Sequence, residues 1–464
     1  MTGPSPDLPP GTAGIALQPR PVPGPVPPWA FPAGTAGRVP AGPATLRVDL
    51  PGRNLAAVRL VLHSGAGREP EGLDGVATLT AHALLEGTEP GGGTALTAAF
   101  ERLGASLYAS ADLTALRIAL DVPVTRLGAA LELFSSVVRR PALDDADVRR
   151  LVRERLEEIA QEDADPGSRA MRELRAVMFP AEARASRPTG GTRTSVGGLQ
   201  GSDIRDFYAS VVPAEATAVV AGDLAGTDAD AALTAALEGW TGSGGPLPTA
   251  DRIMPESAAR IVVVDRPGSV QTYLALGHGV PDRSHHDWPS LVVASHVLGG
   301  GLTSRLNAVL REEKGYTYGV RAGLLRMRHC GLFIAQGAVH TEVTADAVAD
   351  ALTELRSVIT RGIDAEEHGS SVRALADRAP AEYETARAVA AELADASASG
   401  LGADYPSNYL AAVRASTPDG VARTYNKHID PEGLTIIAVG DAAQIREPLE
   451  KLGYAPVTVT SKEE

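Results

Sequence analysis

The chain has 464 residues and a net charge of −14, with 43 basic against 57 acidic residues, which argues against nucleic acid as its main partner. Its length predicts roughly two to four domains of about 150 residues each. Cys330 is the only cysteine, which excludes an internal disulfide; no apolar run approaches the roughly 18 residues that cross a bilayer, and without a basic, apolar leader we expect a cytoplasmic protein.

Residues 1–43 form a Pro/Gly-rich tail, which we expect to be extended, with Trp29 and Phe31 as its candidate anchors. After the tail, hydrophobic periodicity predicts strands that alternate with amphipathic helices. The predicted strands cover 46–49, 56–63, 105–111, 114–122 and 216–221, and the predicted helices cover 73–86, 94–103, 126–138, 144–161, 167–178 and 201–210. Residues 241–258 are rich in Gly, Pro and Ser, which is typical of an interdomain linker.

The order of elements then repeats. Strands are predicted at 260–265, 271–278, 330–337 and 434–439, and helices at 288–298, 343–360, 365–400 and 417–428. The Ala-Val-Val-Ala-Gly-Asp of residues 218–223 returns as Ile-Ala-Val-Gly-Asp at 437–441, about 218 residues later. A repeat this long predicts two similar domains, 44–240 and 259–464. Each is expected to be α+β, with a mostly antiparallel sheet and helices packed on one face.

The most specific stretch runs from residue 299 to residue 320. Three glycines open it, and a short amphipathic helix is predicted after them, with Leu302, Leu306, Val309 and Leu310 on one face. Gly315 is predicted to end this helix, and residues 316–320 alternate like a strand entering a sheet. Arg311 lies in the last helical turn and Tyr318 follows seven residues later, so a helix–turn–strand would bring both side chains to one opening.

This stretch resembles the substrate-binding Arg/Tyr pair in the C-terminal domain of the pitrilysin/insulinase-type metallopeptidases, the inverzincins, and particularly of half-size chains similar to mitochondrial processing peptidase. The resemblance covers about residues 45–450, although the Gly-Asp strand ends and Leu-Glu-Glu-Ile-Ala-Gln-Glu-Asp at 156–163 match more weakly. It implies two related α+β domains in one chain, which would form half of a clamshell around a peptide chamber. It also assigns substrate binding to Arg311 and Tyr318.

The zinc motif of that family, H-x-x-E-H before Lys/Glu-Gly-Thr, is incomplete here. Counting back from Glu86-Gly87-Thr88 gives Thr78, Ala81 and His82, and the glutamate expected as third ligand is best matched by Glu158. A catalytic zinc needs about three protein ligands and a general base, and Thr78 and Ala81 supply neither. We therefore predict no metal and no catalytic residue in this chain, with His82 and Glu158 in structural roles.

Other candidates carry weaker signals. His285 and His286 lie in a polar loop where a structural role is favoured over metal binding. Residues 299–301 lack the G-K-[ST] of a phosphate loop, residues 91–93 predict a simple turn, and Cys330 is expected to be packed rather than nucleophilic. No Ser/His/Asp triad can be assembled from the spacing.

The resemblance therefore predicts a non-catalytic, substrate-binding subunit of a heterodimeric zinc metallopeptidase. A homologous partner chain would supply the zinc, and the substrates would be short unfolded peptides such as leader or precursor peptides. Three alternatives stay open. They are a structural subunit, as in the core proteins of the respiratory bc1 complex, a stand-alone peptide-binding protein, and a relic peptidase with altered ligands.

Overall fold

Two six-stranded sheets organise the chain, one in each half. The computed structural model describes residue 24 and residues 29–89, 91–250 and 252–460. Met1–Ala30 separates from the rest as a unit of its own, and most of the predicted tail lies outside the described residues. The end of that tail differs from the prediction, because Thr35–Arg38 forms a strand and Phe31 is buried with its ring 5.0 Å from that of Tyr383.

The strands of the first half are β1 Thr35–Arg38, β2 Ala44–Asp49, β3 Leu55–Leu62, β4 Gly87–Thr88, β5 Gly91–Gly92, β6 Ser106–Ala111, β7 Leu116–Pro123 and β8 Thr217–Gly222. Its helices are α1 Val76–Ala83, α2 Gly93–Arg102, α3 Leu127–Arg139, α4 Asp145–Ala164, α5 Pro166–Met178, α6 Arg193–Gly198, α7 Gly201–Ala209 and α8 Ala229–Leu237. Between residues 238 and 259 the described chain has neither helix nor strand.

The strands of the second half are β9 Arg260–Asp265, β10 Gln271–Val280, β11 Arg321–Arg326, β12 Gly331–His340, β13 Thr435–Gly440 and β14 Val457–Thr460. Its helices are α9 Trp288–Gly299, α10 Arg305–Asn307, α11 Thr344–Thr360, α12 Ala365–Val372, α13 Ala379–Glu382, α14 Ala386–Ala398, α15 Tyr405–Ala415, α16 Pro418–His428 and α17 Ala442–Lys451. In the described chain, no helix is both long enough and apolar enough to cross a membrane.

The two sheets share one topology, so the fold contains the repeat that the sequence predicts. The first sheet has the order β1-β2-β8-β3-β7-β6 and the second β11-β12-β10-β13-β9-β14. In each, the first core strand pairs in parallel with the Gly-Asp strand, β2 with β8 and β9 with β13, and the remaining core pairs are antiparallel. The outer strands differ, since β1 is antiparallel to β2 and β14 is parallel to β9. β6 and β11 occupy equivalent edges of the two sheets.

Each sheet buries one face under helices of its own half. In the first half, Val58, Leu60 and Leu62 of β3 share a core with helices α1 and α3. The opposite face of each sheet receives a helix from the other half. Leu174 and Met178 of α5 pack on the second sheet.

Helix α14 of the second half covers the first sheet in the reciprocal way. Its Arg387 contacts Asp121 at 2.9 Å, and the same carboxylate accepts a hydrogen bond from Arg59 at 2.9 Å. The exchange of α5 and α14 ties the two halves together.

Candidate substrate-binding segment and degenerate zinc site

The segment that carries Arg311 begins where α9 ends against the second sheet. A Cβ on Gly299 would collide with the backbone of Ala322 in β11, so only glycine lets the helix end approach the strand this closely. The helix after the glycines starts at Arg305, later than predicted, and continues as a π-helical turn over Ala308–Glu313. Leu306 and Leu310 are buried, as predicted for the apolar face, whereas Leu302 is exposed because it precedes the helix.

Arg305 anchors this short helix to α11 and α12. Its guanidinium donates to both carboxylate oxygens of Glu367 at 2.7 and 2.6 Å, to the hydroxyl of Ser357 at 2.7 Å and to the carbonyl of Gly362 at 2.6 Å. A bidentate pair fixes the orientation of the guanidinium as well as its position. Arg305 is therefore a structural residue of the segment.

Asn307 holds the two ends of the segment together. Its Oδ1 accepts a hydrogen bond from the Val320 amide at 2.9 Å, and its Nδ2 donates to the Val320 carbonyl at 2.8 Å. Nδ2 also lies 3.0 Å from the carbonyl oxygen of Gly301. Asn307 is buried, so these contacts are shielded from water. The sequence gives little indication of this role, because Asn307 stands out there only as a polar residue between Leu306 and Leu310.

The chain after Gly315 differs from the predicted strand. Gly315 has φ of +66°, as expected for the residue that ends a helix. Residues 316–320 do not form a strand, and β11 begins only at Arg321. Thr317 makes an isolated bridge to Val339, and its hydroxyl donates to the Ala338 carbonyl at 2.6 Å. These bonds fix the backbone on both sides of Tyr318.

Arg311 and Tyr318 belong to this braced segment and both reach solvent. The Tyr318 side chain is exposed, with 88% of the residue accessible, and the Arg311 side chain is 34% exposed. The polar contact of Arg311 is a 3.4 Å approach to its neighbour Glu312. No hydrogen bond or ion pair joins Arg311 to Tyr318 in the part of the chain that the structure describes. The segment thus presents two solvent-accessible donor side chains, of which Arg311 has one exposed carboxylate neighbour.

The degenerate zinc motif lies on α1, whose start is fixed by a buried charge cluster. Oε1 of Glu69 accepts hydrogen bonds from the amides of Gly75 and Ala77 at 3.0 and 2.9 Å, and Oε2 accepts from Arg184 at 2.7 Å. Burial raises the pKa of Glu69, although Arg184 and the two amides favour its charged form. A carboxylate at this helix end satisfies the free amides and suits the helix dipole. The start of α1 is therefore firmly held, although the residues at the motif positions of this helix differ from H-x-x-E-H.

Thr78, Ala81 and His82 take the three motif positions on α1, and Ala81 is fully buried. At the glutamate position the residue is retained, but its carboxylate is paired. Glu158 on α4 accepts a hydrogen bond from Nη1 of Arg155 at 3.0 Å. The same guanidinium binds Glu162 through two hydrogen bonds of 2.7 and 3.0 Å.

Arg155 supplies a fixed positive charge beside these carboxylates. Burial alone lowers the pKa of its guanidinium, but the hydrogen bonds from Arg155 to Glu162 and Glu158 raise the pKa overall. The pairing engages one oxygen of Glu158, so a metal would compete with Arg155 for this carboxylate. Sequence analysis missed the pairing, although the spacing of three and seven residues places Arg155, Glu158 and Glu162 on one face of α4 and is visible in the sequence.

One cluster of three metal-ligand side chains occurs among the described residues, at His285, His286 and Asp287. The possible ligand atoms lie within 4.8 Å of one another, but those of His285 and Asp287 already have hydrogen-bond partners. The two imidazoles are stacked, with centroids 4.3 Å apart. Nδ1 of His285 accepts a hydrogen bond from the Asp287 amide at 3.1 Å, and the Asp287 carboxylate is held by Lys427 and His428 at 2.7 Å each. A structural role for His285 and His286, without a metal, therefore stays our prediction.

Cys330 is buried at the second sheet, and burial raises the pKa of its thiol to about 11. A thiol with this pKa is almost wholly protonated at neutral pH and is a poor nucleophile.

Two protein-family models match this chain. A model described as insulinase (peptidase family M16) matches residues 46–192, and one described as peptidase M16 inactive domain matches residues 199–375. Uncharacterized zinc proteases of Streptomyces coelicolor and Mycobacterium tuberculosis are 25% and 28% identical over 341 and 337 residues. These alignments cover 72% and 71% of this chain, and 74% and 76% of the two relatives.

Solved structures show the same fold. A peptidase M16 inactive domain from Pseudomonas fluorescens has a TM-score of 0.81 at 22% identity, covering 88% of this chain and 98% of that one. A protease from Helicobacter pylori has a TM-score of 0.82 at 18% identity, covering 88% and 100%. A structure of complex III2 from Candida albicans contains a chain with a TM-score of 0.75 at 14% identity, covering 91% and 100%. The chain described here belongs to the insulinase family, peptidase family M16.

Proposed function

We propose that this chain is the non-catalytic, substrate-binding subunit of a heterodimeric zinc metallopeptidase in the cytoplasm, and that a homologous partner with an intact H-x-x-E-H supplies the zinc. The observation that supports the proposal is a contrast between the zinc motif, which lacks required residues, and the Arg311/Tyr318 segment, which has both of its residues. Thr78 occupies a zinc-ligand position, Ala81 occupies the general-base position, and Glu158 is paired with Arg155. Tyr318, in contrast, is presented to solvent on a segment braced by Asn307.

The proposed mechanism divides the work between binding and chemistry. An extended peptide would pair with a free sheet edge such as β6, whose residues alternate between exposed and half-buried. Arg311 would donate to a substrate carbonyl, with its planar guanidinium fixing the direction of the peptide. The Tyr318 hydroxyl would donate to the carbonyl at the scissile bond, where charge develops during attack. The partner's zinc would activate the attacking water.

The test is to purify this chain alone and together with a homologous chain that carries H-x-x-E-H, and to follow cleavage of an internally quenched peptide. We expect no turnover from the chain alone and turnover from the pair. Tyr318→Phe should lower turnover by about 10²–10³-fold, as the loss of an oxyanion donor does elsewhere. Arg311→Ala should lower turnover at limiting peptide, because it removes a contact to the bound substrate. Lys314→Ala is the matched control, because Lys314 is a cation of similar exposure, 39%, at the end of the same segment.

Two results would contradict the proposal. One is cleavage by the chain alone that is unchanged by His82→Ala. The other is an active pair that tolerates both Arg311→Ala and Tyr318→Phe.

A second candidate function is a scaffold subunit, which the structural match to complex III2 of Candida albicans favours. A scaffold has no need of exposed Arg311 and Tyr318 side chains. Purification of the native assembly separates the two functions. A large complex without peptide hydrolysis supports the scaffold, whereas a two-chain peptidase supports the main proposal. A stand-alone peptide binder would hold peptides with no partner chain present.

A further inference from the structure

A cleft of about 240 Å³ opens beside β11, at the edge of the second sheet. Ala322, Gly323 and Leu324 line one side of it. Successive strand side chains point to opposite faces, so Ala322, Leu324 and Arg326, at alternate positions, line the cleft from one face of β11. In the described chain β11 pairs only with β12, so its outer edge carries no strand, although the end of α9 lies against Ala322. The volume is below the roughly 300–1,000 Å³ of cofactor sites and suits a single residue.

The charges that line the cleft sum to +1. They are the guanidinium groups of Arg283 and Arg326 and the carboxylate of Glu392. Nη2 of Arg283 donates to Glu392 at 2.8 Å, and Arg283 is only 6% exposed. One carboxylate thus faces two guanidinium groups. Just outside the lining, Arg378 carries a positive charge near His296, and Glu382 carries a negative charge near Tyr383, so these two charges cancel. The balance favours an anionic ligand.

The same cleft contains hydrogen-bond donors that are not used in the ligand-free protein. The guanidinium of Arg283 lies 4.9 Å from the centre of the Tyr405 ring. Nε of Arg283 and the hydroxyl of Tyr405 are both buried and make no hydrogen bond of standard geometry with the described residues, although the two side chains interact with each other. Leaving such donors unpaired costs free energy, which a carboxylate could recover, because it accepts several hydrogen bonds at once. Trp288 and Tyr409 add apolar surface around this donor set.

We propose that the cleft binds the free C-terminal residue of a peptide whose preceding residues lead from the cleft toward Tyr318. This inference rests on the proposed function, since it defines the class of substrate. The terminal carboxylate binds Arg326 and, as the Tyr405 side chain turns toward it, Arg283 and Tyr405. The terminal side chain packs on Trp288 and Tyr409. At about 3.3 Å per residue, the five residues from Tyr318 to Gly323 span about 17 Å, so the cleft is within reach of a short peptide held at Tyr318.

The experiment uses the full chain without a partner. Binding of an N-terminally labelled decapeptide ending in Phe is measured by fluorescence anisotropy, with a free C-terminal carboxylate and with a C-terminal amide. We expect the free acid to bind about tenfold more tightly or better, because charge-assisted hydrogen bonds are lost in the amide. Arg326→Gln and Tyr405→Phe should each reduce this preference to about threefold or less. Arg328→Gln, an exposed arginine two residues beyond β11, should leave the preference intact.

Tyr405→Phe has a second readout. It removes a buried hydroxyl that makes no hydrogen bond of standard geometry with the described residues, so thermal stability should stay the same or rise while the acid preference falls. A merely structural tyrosine would lose stability instead. Equal binding of acid and amide overturns the proposal, as does a preference that survives both substitutions or disappears in Arg328→Gln.

The failure of this inference is distinguishable from that of the proposed function. If the heterodimer cleaves peptides through Arg311 and Tyr318 but acid and amide bind alike, the cleft proposal alone is rejected. If the pair is inactive but the acid preference behaves as expected, the peptidase proposal is rejected and the cleft proposal stands.

Discussion

The side-chain amide of Asn307 pairs with both backbone groups of Val320, accepting from its amide at 2.9 Å and donating to its carbonyl at 2.8 Å. These two hydrogen bonds join the helix that carries Arg311 to the start of the strand that follows Tyr318. The position of both side chains on the surface therefore depends on one buried amide. Packing inside the segment thus sets the positions of the two side chains that we propose bind the substrate.

Asn307→Ala should destabilise the protein by about 1–3 kcal/mol, because it leaves the buried amide and carbonyl of Val320 without partners. Denaturant unfolding measures the change. Asn307→Asp keeps the acceptor but loses the donor and should fall between wild type and alanine. Asn408→Ala is the control, since Asn408 makes one exposed hydrogen bond, of 2.8 Å, to Asp404. If Asn307→Ala is as stable as this control, the segment is not braced by Asn307.

Gly277→Ala should destabilise the contact between α5 and the second sheet by about 1–2 kcal/mol. A Cβ at Gly277 would lie 2.8 Å from Cδ1 of Leu174 and 3.0 Å from Sδ of Met178, and both side chains are fully buried. Gly323→Ala in β11 is the matched control, because nothing lies within 4 Å of the Cβ that it adds. Comparison of the two variants by denaturant unfolding tests how tightly α5 is held. A Gly277→Ala variant as stable as Gly323→Ala would contradict the tight packing.

Much of the fold follows from local pattern. The strand Arg260–Asp265 has the predicted bounds, and the repeated Gly-Asp strand ends mark β8 and β13, which occupy equivalent places in the two sheets. β11 was not predicted as a strand, because Arg321, Gly323 and Arg326 interrupt the alternation of apolar residues. Its strand structure depends on pairing with β12, which local sequence does not encode.

The candidate sites were predictable to different degrees. The identity of Arg311 and Tyr318 follows from the resemblance, and their substrate-binding role stays a prediction. The loss of a zinc ligand at Thr78 and of the general base at Ala81 is visible in the sequence. The reciprocal bonds of Asn307 and the charge balance around Arg283 join residues far apart in the chain, so only the structure brings them together.

Stability should decrease as the pH falls from 7 to 5, in part because of His278. Its Nδ1 bonds to the Gly279 carbonyl at 2.7 Å, and its Nε2 accepts from the Asp430 amide at 3.3 Å, so the neutral ring satisfies both neighbours. Burial lowers the pKa of His278 below its usual value of 6.5. The unfolded chain therefore takes up this proton first, and the stabilisation present above pH 6.5 is lost as the pH falls through the lower pKa of the folded state.

Thermal midpoints measured between pH 5 and 7 test this dependence on His278. His278→Gln should flatten the pH dependence, because Gln does not titrate. His340→Gln, at an exposed histidine that ends β12, is the control. A slope that is the same in wild type and His278→Gln would show that this histidine contributes nothing to it.

Restoring the zinc motif on α1 should not restore zinc binding while Arg155 is present. Thr78→His with Ala81→Glu rebuilds H-x-x-E-H together with His82, but Glu158 and Glu162 stay bound to the Arg155 guanidinium. We expect less than one zinc per chain in this double variant, measured by elemental analysis after gel filtration. Adding Arg155→Met removes the competing cation and frees the glutamates, so the triple variant should bind about one zinc per chain through three protein ligands.

Two controls make the zinc experiment decisive. Arg155→Met alone should bind no zinc, because His82 and a free glutamate are too few ligands. His82→Ala in the triple variant should abolish binding, which shows that the metal occupies the rebuilt site. Stoichiometric zinc in the double variant would mean that Arg155 does not block the site. A triple variant that folds but binds no zinc would mean that the geometry of α1 and α4, and not the charge of Arg155, has diverged from that of a zinc peptidase.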